Sequence, residues 1–334
     1  MARAAGVSKA TASKAINQRS DVSAETRQRV LACAEEVGYA LPSSGAADIR
    51  PQIWVAMTSF VNPYMGLVLD GLLAEGQKLG ATVVVDQHVP AVEQDTRPAS
   101  PEWIKQSLDR GASAFVLITT PITAALLEAT RGAKAPLIVV DPLVTPDGSL
   151  GEDTLSVGAT NWRGGYQATE HLIELGHRRI AFVGAPAQSE PGAERLAGYR
   201  SALDAHGLSY DPMLVRPGEF GVADGRAIRD LLDENPDLTA VFAANDMVAC
   251  GVLDAARLAG RSVPDDLSVV GFDDTIASAV SAPPLTTVRQ PLAEMGALAI
   301  RTCVNALSGT EPAGPHVQLA TSLIVRESTA PALR

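Results

Sequence analysis

From Ile53 onward the chain repeats one pattern. A short, unbroken apolar run is followed by a longer stretch with helical spacing. The runs "IWVAMTSF", "ATVVVDQ", "AFVLIT" and "PLIVVDP" alternate with stretches such as "MGLVLDGLLAEGQKLG" and "PEWIKQSLDRG". The alternation resumes with "RIAFVG", "ERLAGYRSALDAHG", "AVFAAN", "MVACGVLDAARLAG" and "LSVVGFDD". Continuous apolar runs of this length suit strands buried on both faces, and strand–helix alternation requires a parallel sheet flanked by helices. Two such series in tandem predict an α/β body of two lobes with a cleft between them. Ligands of open parallel sheets sit beyond the carboxyl ends of the strands, so polar residues directly after each apolar run become candidates.

Those residues are present. Asp141 follows "LIVV", Asn245 and Asp246 follow "VFAA", Asp273 and Asp274 follow "SVVGF", and Arg195 lies just beyond the "RIAFVG" strand at a helix start. A guanidinium with carboxylates and amides around one cleft can hydrogen-bond vicinal hydroxyls in pairs. Only 4% of the residues are aromatic, which makes Phe220 and Trp162 notable as platforms for the apolar face of a sugar. Asp246 and Asp274 read better as structural helix caps, whereas Arg195, Asn245 and Asp273 read as ligand contacts.

The first 40 residues differ in kind. Residues 1–30 hold six basic against two acidic side chains, in a 334-residue chain of net charge −11. An acidic body repels nucleic acid, so any DNA contact belongs to this basic head. Gly6 can end a first helix by taking a positive φ, and Ser8 can cap a second running from Lys9 to about Ile16. Ser23 caps a third, on which Val30, Ala34 and Val37 form a narrow apolar stripe. Helix, glycine-containing turn and helix make a helix-turn-helix pattern. Composition alone leaves open a small helical cap with a solvated basic face.

The stretch "AGVSKATASKAINQRSDVSAETRQRVLACAEEVGY" resembles the DNA-binding head of the lactose/galactose repressor family. Ala12 stands where that family usually has valine. The resemblance implies that Lys9, Ala10 and Lys14 read bases and that Thr11, Ser13 and Asn17 contact the DNA backbone, with Ser8 completing the DNA-binding set. It leaves two readings of Met1 open: the start of the chain, or an internal valine position with the opening turn of the first helix encoded upstream. The linker "ALPSSGAADIRPQ" departs from the family's hinge helix. It lacks the asparagine after Pro42; Ile49 or Leu41 could stand as the minor-groove wedge, but Asp48 is unfavourable next to the phosphate backbone, so a plain linker is expected.

Further landmarks extend the resemblance over essentially the whole chain: "SFVNPYMGLVL", "HLIELGHRRIAFVG", "ERLAGYRSAL", "AVFAANDMVACGVLDAARLAG", "DDLSVVGFDDT", "PPLTTVRQP" and "RESTA". It implies a type I periplasmic-binding-protein body, with Arg195, Asn245, Asp273 and Phe220 as contacts of a sugar-like effector. The expected domains are a head at 1–40, a linker at 41–52 and a body at 53–334. Lobe 1 takes about 53–157 and 290–316, lobe 2 about 161–286 and 318–330. The chain would act as a homodimeric or tetrameric repressor whose affinity for operator DNA is controlled by a small-molecule effector, a mono- or disaccharide, as inducer or co-repressor, with no cofactor needed. A sensor with weakened DNA binding and a periplasmic-type sugar-binding protein are the alternatives.

An enzyme is disfavoured. The five histidines show no metal spacing, and no phosphate loop or nucleophile elbow is present. Cys33, Cys250 and Cys303 are unpaired by spacing, and no run of about 18 apolar residues or secretory leader is found, which fits a reducing cytoplasm.

Lys14→Ala should weaken operator binding. If Lys14 reads a base, discrimination at that base pair should relax by roughly 1–3 kcal/mol in a gel-shift series. Equal loss on operator and random DNA would assign Lys14 to phosphate instead.

Overall fold

The computed structural model describes residues 5–8, 11–12, 15, 22–36, 50–59, 61–87, 99–143, 154–310 and 314–332. The chain divides into two compact units, Met1–Arg50 and Pro51–Arg334.

In the first unit Gly6 takes φ +65°. The Ser8 hydroxyl accepts from the Thr11 amide at 3.0 Å and meets the Thr11 hydroxyl at 2.8 Å, the capping expected of Ser8. Ser23 caps the helix Ala24–Glu36 through the Thr26 amide. Ala5, Ala12, Ala15, Val22 and Val30 form the core, with Val7 and Cys33 packed on it. Ala12 is thus a core residue whose small side chain faces inward. Lys9, Ala10, Ser13, Lys14 and Asn17, Met1, and the linker residues Leu41, Asp48 and Ile49 lie outside the described residues.

The second unit is the two-lobed α/β body. Its first sheet has the order β11-β5-β4-β3-β1-β2, all neighbours parallel. The strands are β1 (Gln52–Met57), β2 (Thr82–Gln87), β3 (Ala112–Ile118), β4 (Leu137–Val140), β5 (Leu155–Ala159) and β11 (His316–Leu319). The second sheet has the order β12-β10-β9-β8-β6-β7. It comprises β6 (Ile180–Val183), β7 (Val215–Arg216), β8 (Ala240–Ala243), β9 (Ser268–Asp273), β10 (Thr286–Arg289) and β12 (Ser322–Ile324), parallel except for the β10–β12 edge. The central strands β4, β6 and β8 are buried at every position, as their unbroken apolar runs require.

The chain crosses between the lobes three times. The lobe limits expected from sequence shift by a few residues. β5 carries lobe 1 to Ala159, β10 carries lobe 2 to Arg289, and β11 holds residues up to Leu319 in the first sheet. Strand pairing sets these limits, and a family pattern marks them only coarsely. At one crossing the Thr160 hydroxyl meets the Thr321 hydroxyl at 3.0 Å and accepts from the Thr321 amide at 3.0 Å, tying two of the crossing segments together.

Among the described cysteines, Cys303 is buried in the lobe 1 core, while Cys33 and Cys250 are only half-buried. Among the described residues no helix is long and apolar enough to cross a membrane.

In lobe 2 the helix Asn161–Glu174 crosses the helix Glu190–Ala205 at backbone contact. A Cβ on Gly165 would lie 2.3 Å from the Arg195 carbonyl oxygen, and one on Gly198 would lie 2.1 Å from that of Trp162. Both obstacles are backbone, so neither can yield without moving a helix. This crossing fixes where Arg195 begins. Gly165→Ala should therefore cost about 1–3 kcal/mol, read as a lowered Tm, because the helices must separate. A Tm unchanged within a degree would show that the crossing is slack.

Candidate effector site

A cavity of about 220 Å³ lies between the lobes, lined by Thr58, Asn62, Tyr64, Thr119, Asp141 and Leu143 from lobe 1, and by Ser189, Arg195, Phe220, Asn245 and Asp273 from lobe 2, among others. Thr58 and Asn62 follow β1, Thr119 follows β3, Asp141 follows β4, Asn245 follows β8, and Asp273 ends β9. The cavity therefore sits beyond the carboxyl ends of both sheets, where the strand-end argument places a ligand.

The backbone here is strained. Six described residues other than glycine have positive φ, and four of them line the cavity: Thr119 (44°), Asp141 (45°), Phe220 (61°) and Asp273 (102°). Such conformations cost of order 1–3 kcal/mol each, and they cluster where side chains must be aimed.

Arg195 is the centre of the lobe 2 wall, and it is buried. Its Nε donates to the Asn161 Oδ1 at 2.9 Å and its Nη1 to the Ala244 carbonyl at 2.7 Å. Nη1 also stands 3.6 Å from the Asp273 carboxylate. The guanidinium carbon lies over the Phe272 ring, 3.9 Å from its centroid, and 5.8 Å from the centroid of the Phe220 ring. Nη2 makes no bond to any described residue.

Asp273 accepts on Oδ1 from the Gln290 amide at 2.7 Å, and its Oδ2 makes no bond to a described residue. Burial pushes its carboxyl up to about 7, assisted by Asp246 and Asp141 and opposed by Arg195 and the Gln290 hydrogen bond. Asp141 accepts from the Tyr64 hydroxyl at 2.6 Å on Oδ2, leaving Oδ1 without a bond to a described residue. Burial raises its carboxyl too, with the Tyr64 bond and Arg195 opposing. Tyr64 is itself held protonated, chiefly by burial and then by Asp141. The Thr119 Oγ1 and the Gln290 Oε1 are buried without a partner.

Of the residues expected from sequence, Arg195, Asn245, Asp273, Phe220 and Asp141 come together around this cavity. Trp162 does not. It is 43% exposed and stacks on Tyr166 at 5.5 Å, one helical turn on. The inward residue of that first turn is Asn161, which holds Arg195, and the next position round a helix points about 100° away. Asn245, rather than Asp246, caps the helix Asp246–Leu258, accepting from the Val248 amide at 2.8 Å and donating to the Phe220 carbonyl at 3.1 Å. Asp246 is structural, binding the Thr275 amide and the Thr287 hydroxyl. Asp274 is structural as well, paired with Arg289 and Arg326 instead of capping a helix. Tyr64, Asn161 and Gln290 were missed. The "NPY" motif that carries Tyr64 was visible, but its reach to Asp141 depends on β1 and β4 sharing a sheet.

Folded Asp273 holds its proton to about pH 7, whereas its unfolded carboxyl releases it near 3.8. Its contribution to stability is therefore present at low pH and lost as pH rises through 7. Relative to Asp273→Asn, the native protein should gain about 1 kcal/mol of unfolding free energy between pH 8 and pH 6. Parallel pH profiles of the two proteins would show Asp273 ionised throughout.

Comparison with known proteins agrees with this architecture. The profile of bacterial regulatory proteins of the lacI family matches residues 1–41, and that of the periplasmic binding protein-like domain matches residues 169–329. The HTH-type transcriptional regulator CelR of Thermobifida fusca is 35% identical over 98% of this chain and 96% of its own length. DegA of Bacillus subtilis (strain 168), likewise an HTH-type transcriptional regulator, is 33% identical over 99% and 97%. Among solved structures, the transcriptional regulator CelR–cellobiose complex superposes with TM-score 0.74 at 32% identity, covering 98% of both chains. The lac repressor dimer bound to operator and the anti-inducer ONPF gives TM-score 0.74 at 27% identity over 98% and 97%.

Proposed function

The chain belongs to the lacI family of bacterial regulatory proteins, and on that premise we propose that a sugar bound in the interlobe cavity controls its grip on operator DNA. With a lacI-type head at residues 1–41 the chain is a DNA-binding transcriptional regulator, which sets aside the reading as a bare solute-binding protein. The observation that carries the proposal is the polar inventory of the cavity. Arg195 Nη2, Asp273 Oδ2 and Asp141 Oδ1 belong to buried side chains that line the cavity and make no bond to a described residue, and they are the donors and acceptors that adjacent hydroxyls satisfy in pairs. Phe220 supplies an apolar face beside them. Two carboxylates and Glu219 against one guanidinium disfavour an anion and suit a neutral polyol.

The mechanism is a population shift. Asp141 belongs to lobe 1, while Arg195 and Asp273 belong to lobe 2. A sugar bonded to both walls stabilises one lobe arrangement over another, and can shift the equilibrium only by its difference in affinity for the two. In a cytoplasmic homodimer this changes how the paired heads present their recognition helices to the two half-sites of an operator. Relatives support the ligand class: CelR is described in complex with cellobiose, and a lacI-family regulator from Enterococcus faecium with bound ribose.

Asp273→Ala should weaken binding of the sugar selected by thermal shift from a panel of mono- and disaccharides by about 10- to 100-fold. A charged hydrogen bond is worth roughly 1.5–3 kcal/mol. Operator affinity without sugar should persist, so the variant stays on DNA when sugar is added. Calorimetric titration beside gel shifts on one preparation reads both. Unchanged sugar affinity in a well-folded variant would remove Asp273 from the site.

A further inference from the structure

The Arg195–Asp273 pair is held from behind by two side-chain amides, and both stand at lobe crossings. Asn161 follows the first crossing, directly after Thr160, and Gln290 stands in the second, between β10 and the helix Leu292–Leu307. Both are buried, and neither is among the residues that line the cavity. Asn161 spans its own crossing. Its Oδ1 accepts from Arg195 Nε in lobe 2 at 2.9 Å, and its Nδ2 donates to the carbonyl of Ala159, the last residue of β5 in lobe 1, at 3.1 Å. The same amide bonds Glu194, which accepts from Gln318 of β11, again in lobe 1, at 3.2 Å. Gln290 grips the other partner. Its Nε2 donates to Asp273 Oδ1 at 2.7 Å and its backbone amide to the Asp273 carbonyl at 3.4 Å, while its carbonyl accepts from the Leu292 amide at 2.9 Å. Leu292 opens the helix that packs into the lobe 1 core. That helix meets the helix Pro63–Lys78 at backbone contact, for a Cβ on Gly71 would lie 1.8 Å from the Ala293 carbonyl oxygen.

We propose that Asn161 and Gln290 turn occupancy of the cavity into a change of lobe angle, each relaying a shift of Arg195 or Asp273 to the crossing on which it stands. The inference rests on the sugar reading above and gives it a route. Both are positioning residues, because each acts through the ion pair and not on the ligand. A short amide bonded at both ends has little slack, and a buried polar group that loses its partner is costly. When a hydroxyl draws on Arg195 or Asp273, the amide behind must follow or break a buried bond. Following moves a crossing, where a few residues absorb the change of backbone angle that turns one lobe against the other. The first and third crossings move together, since the Thr160 and Thr321 hydroxyls meet at 3.0 Å. At the second, Leu292 hands the shift to a helix whose backbone contact with Pro63–Lys78 leaves no room to absorb it.

The test uses the full chain, a DNA duplex selected by the native protein from a random-sequence library, and the tightest binder among D-glucose, D-ribose, cellobiose, maltose and lactose. The readout is the coupling factor, the ratio of DNA dissociation constants with and without saturating sugar, by fluorescence anisotropy. Asn161→Asp keeps an acceptor for Arg195 but sets another against the Ala159 carbonyl and Glu194, which cuts the tie to lobe 1. Gln290→Met keeps the bulk and removes the donor to Asp273. Each should bring the factor at least threefold closer to unity. Calorimetric titration confirms saturation, so weaker sugar binding does not enter the ratio, and circular dichroism checks folding. Leu203→Ala, a cut in the lobe 2 core, should lower the Tm and keep the native factor, which separates relay from stability. A native factor in both folded amide variants would overturn the proposal while the sugar reading survived. So would an equal fall in Leu203→Ala, or complete loss of sugar binding in both amide variants, which would make the amides mere supports of the site. If none of the five sugars bound the native protein, or its factor were 1, the sugar reading itself would fall and take this one with it.

Discussion

The interaction on which the site depends is the burial of the Arg195 guanidinium. A cation removed from water is tolerable only where it is paired and hydrogen-bonded. Every neighbour serves that end: Asn161 on Nε, the Ala244 carbonyl on Nη1, the Asp273 carboxylate at 3.6 Å, and the Phe272 face beneath. They come from three elements: a helix start, the segment after β8, and the last two residues of β9. The glycine crossing at Gly165 and Gly198 brings the helix that carries Asn161 against the helix that carries Arg195. Packing two residues without side chains thus sets the position of a charge several ångströms away.

The same arrangement stores its cost where a ligand can use it. Asp273 keeps a carboxyl that burial pushes toward neutrality, on a backbone at φ 102°. Asp141 across the cavity is raised too, also at positive φ. These groups are held in place before any ligand arrives, so hydroxyls entering between them meet preorganised partners and little ordering entropy is lost on binding. One wall belongs to each lobe, which is what lets occupancy of the cavity bear on lobe geometry.

Much of this was legible in the chain. Buried parallel strands advertise themselves as unbroken apolar runs, so both sheets could be read from "LIVV", "AVFA" and their kin. The strand-end rule then pointed to Asp141, Asn245 and Asp273, because a parallel sheet offers its ligand only its carboxyl ends. What escaped were properties of adjacency. Tyr64 touches Asp141 because β1 and β4 lie in one sheet, separated by β3. Gln290 reaches Asp273 because the chain leaves β10 there for lobe 1. Trp162 was misjudged because one step round a helix separates the inward Asn161 from an outward ring. The swap of β11 and β12 between sheets moved the lobe limits for the same reason.

The central claim is that one free energy links the interlobe cavity to operator binding. Such a coupling is reciprocal: the factor by which sugar weakens operator binding must equal the factor by which operator weakens sugar binding. Operator dissociation constants by fluorescence anisotropy, with and without saturating sugar, give the first. Calorimetric sugar titrations of the free and operator-bound protein in the same buffer give the second. The account predicts equal factors, of about 5- to 150-fold for couplings of 1–3 kcal/mol. Sugar affinity indifferent to operator would contradict it and leave the cavity a binding site without command of the head.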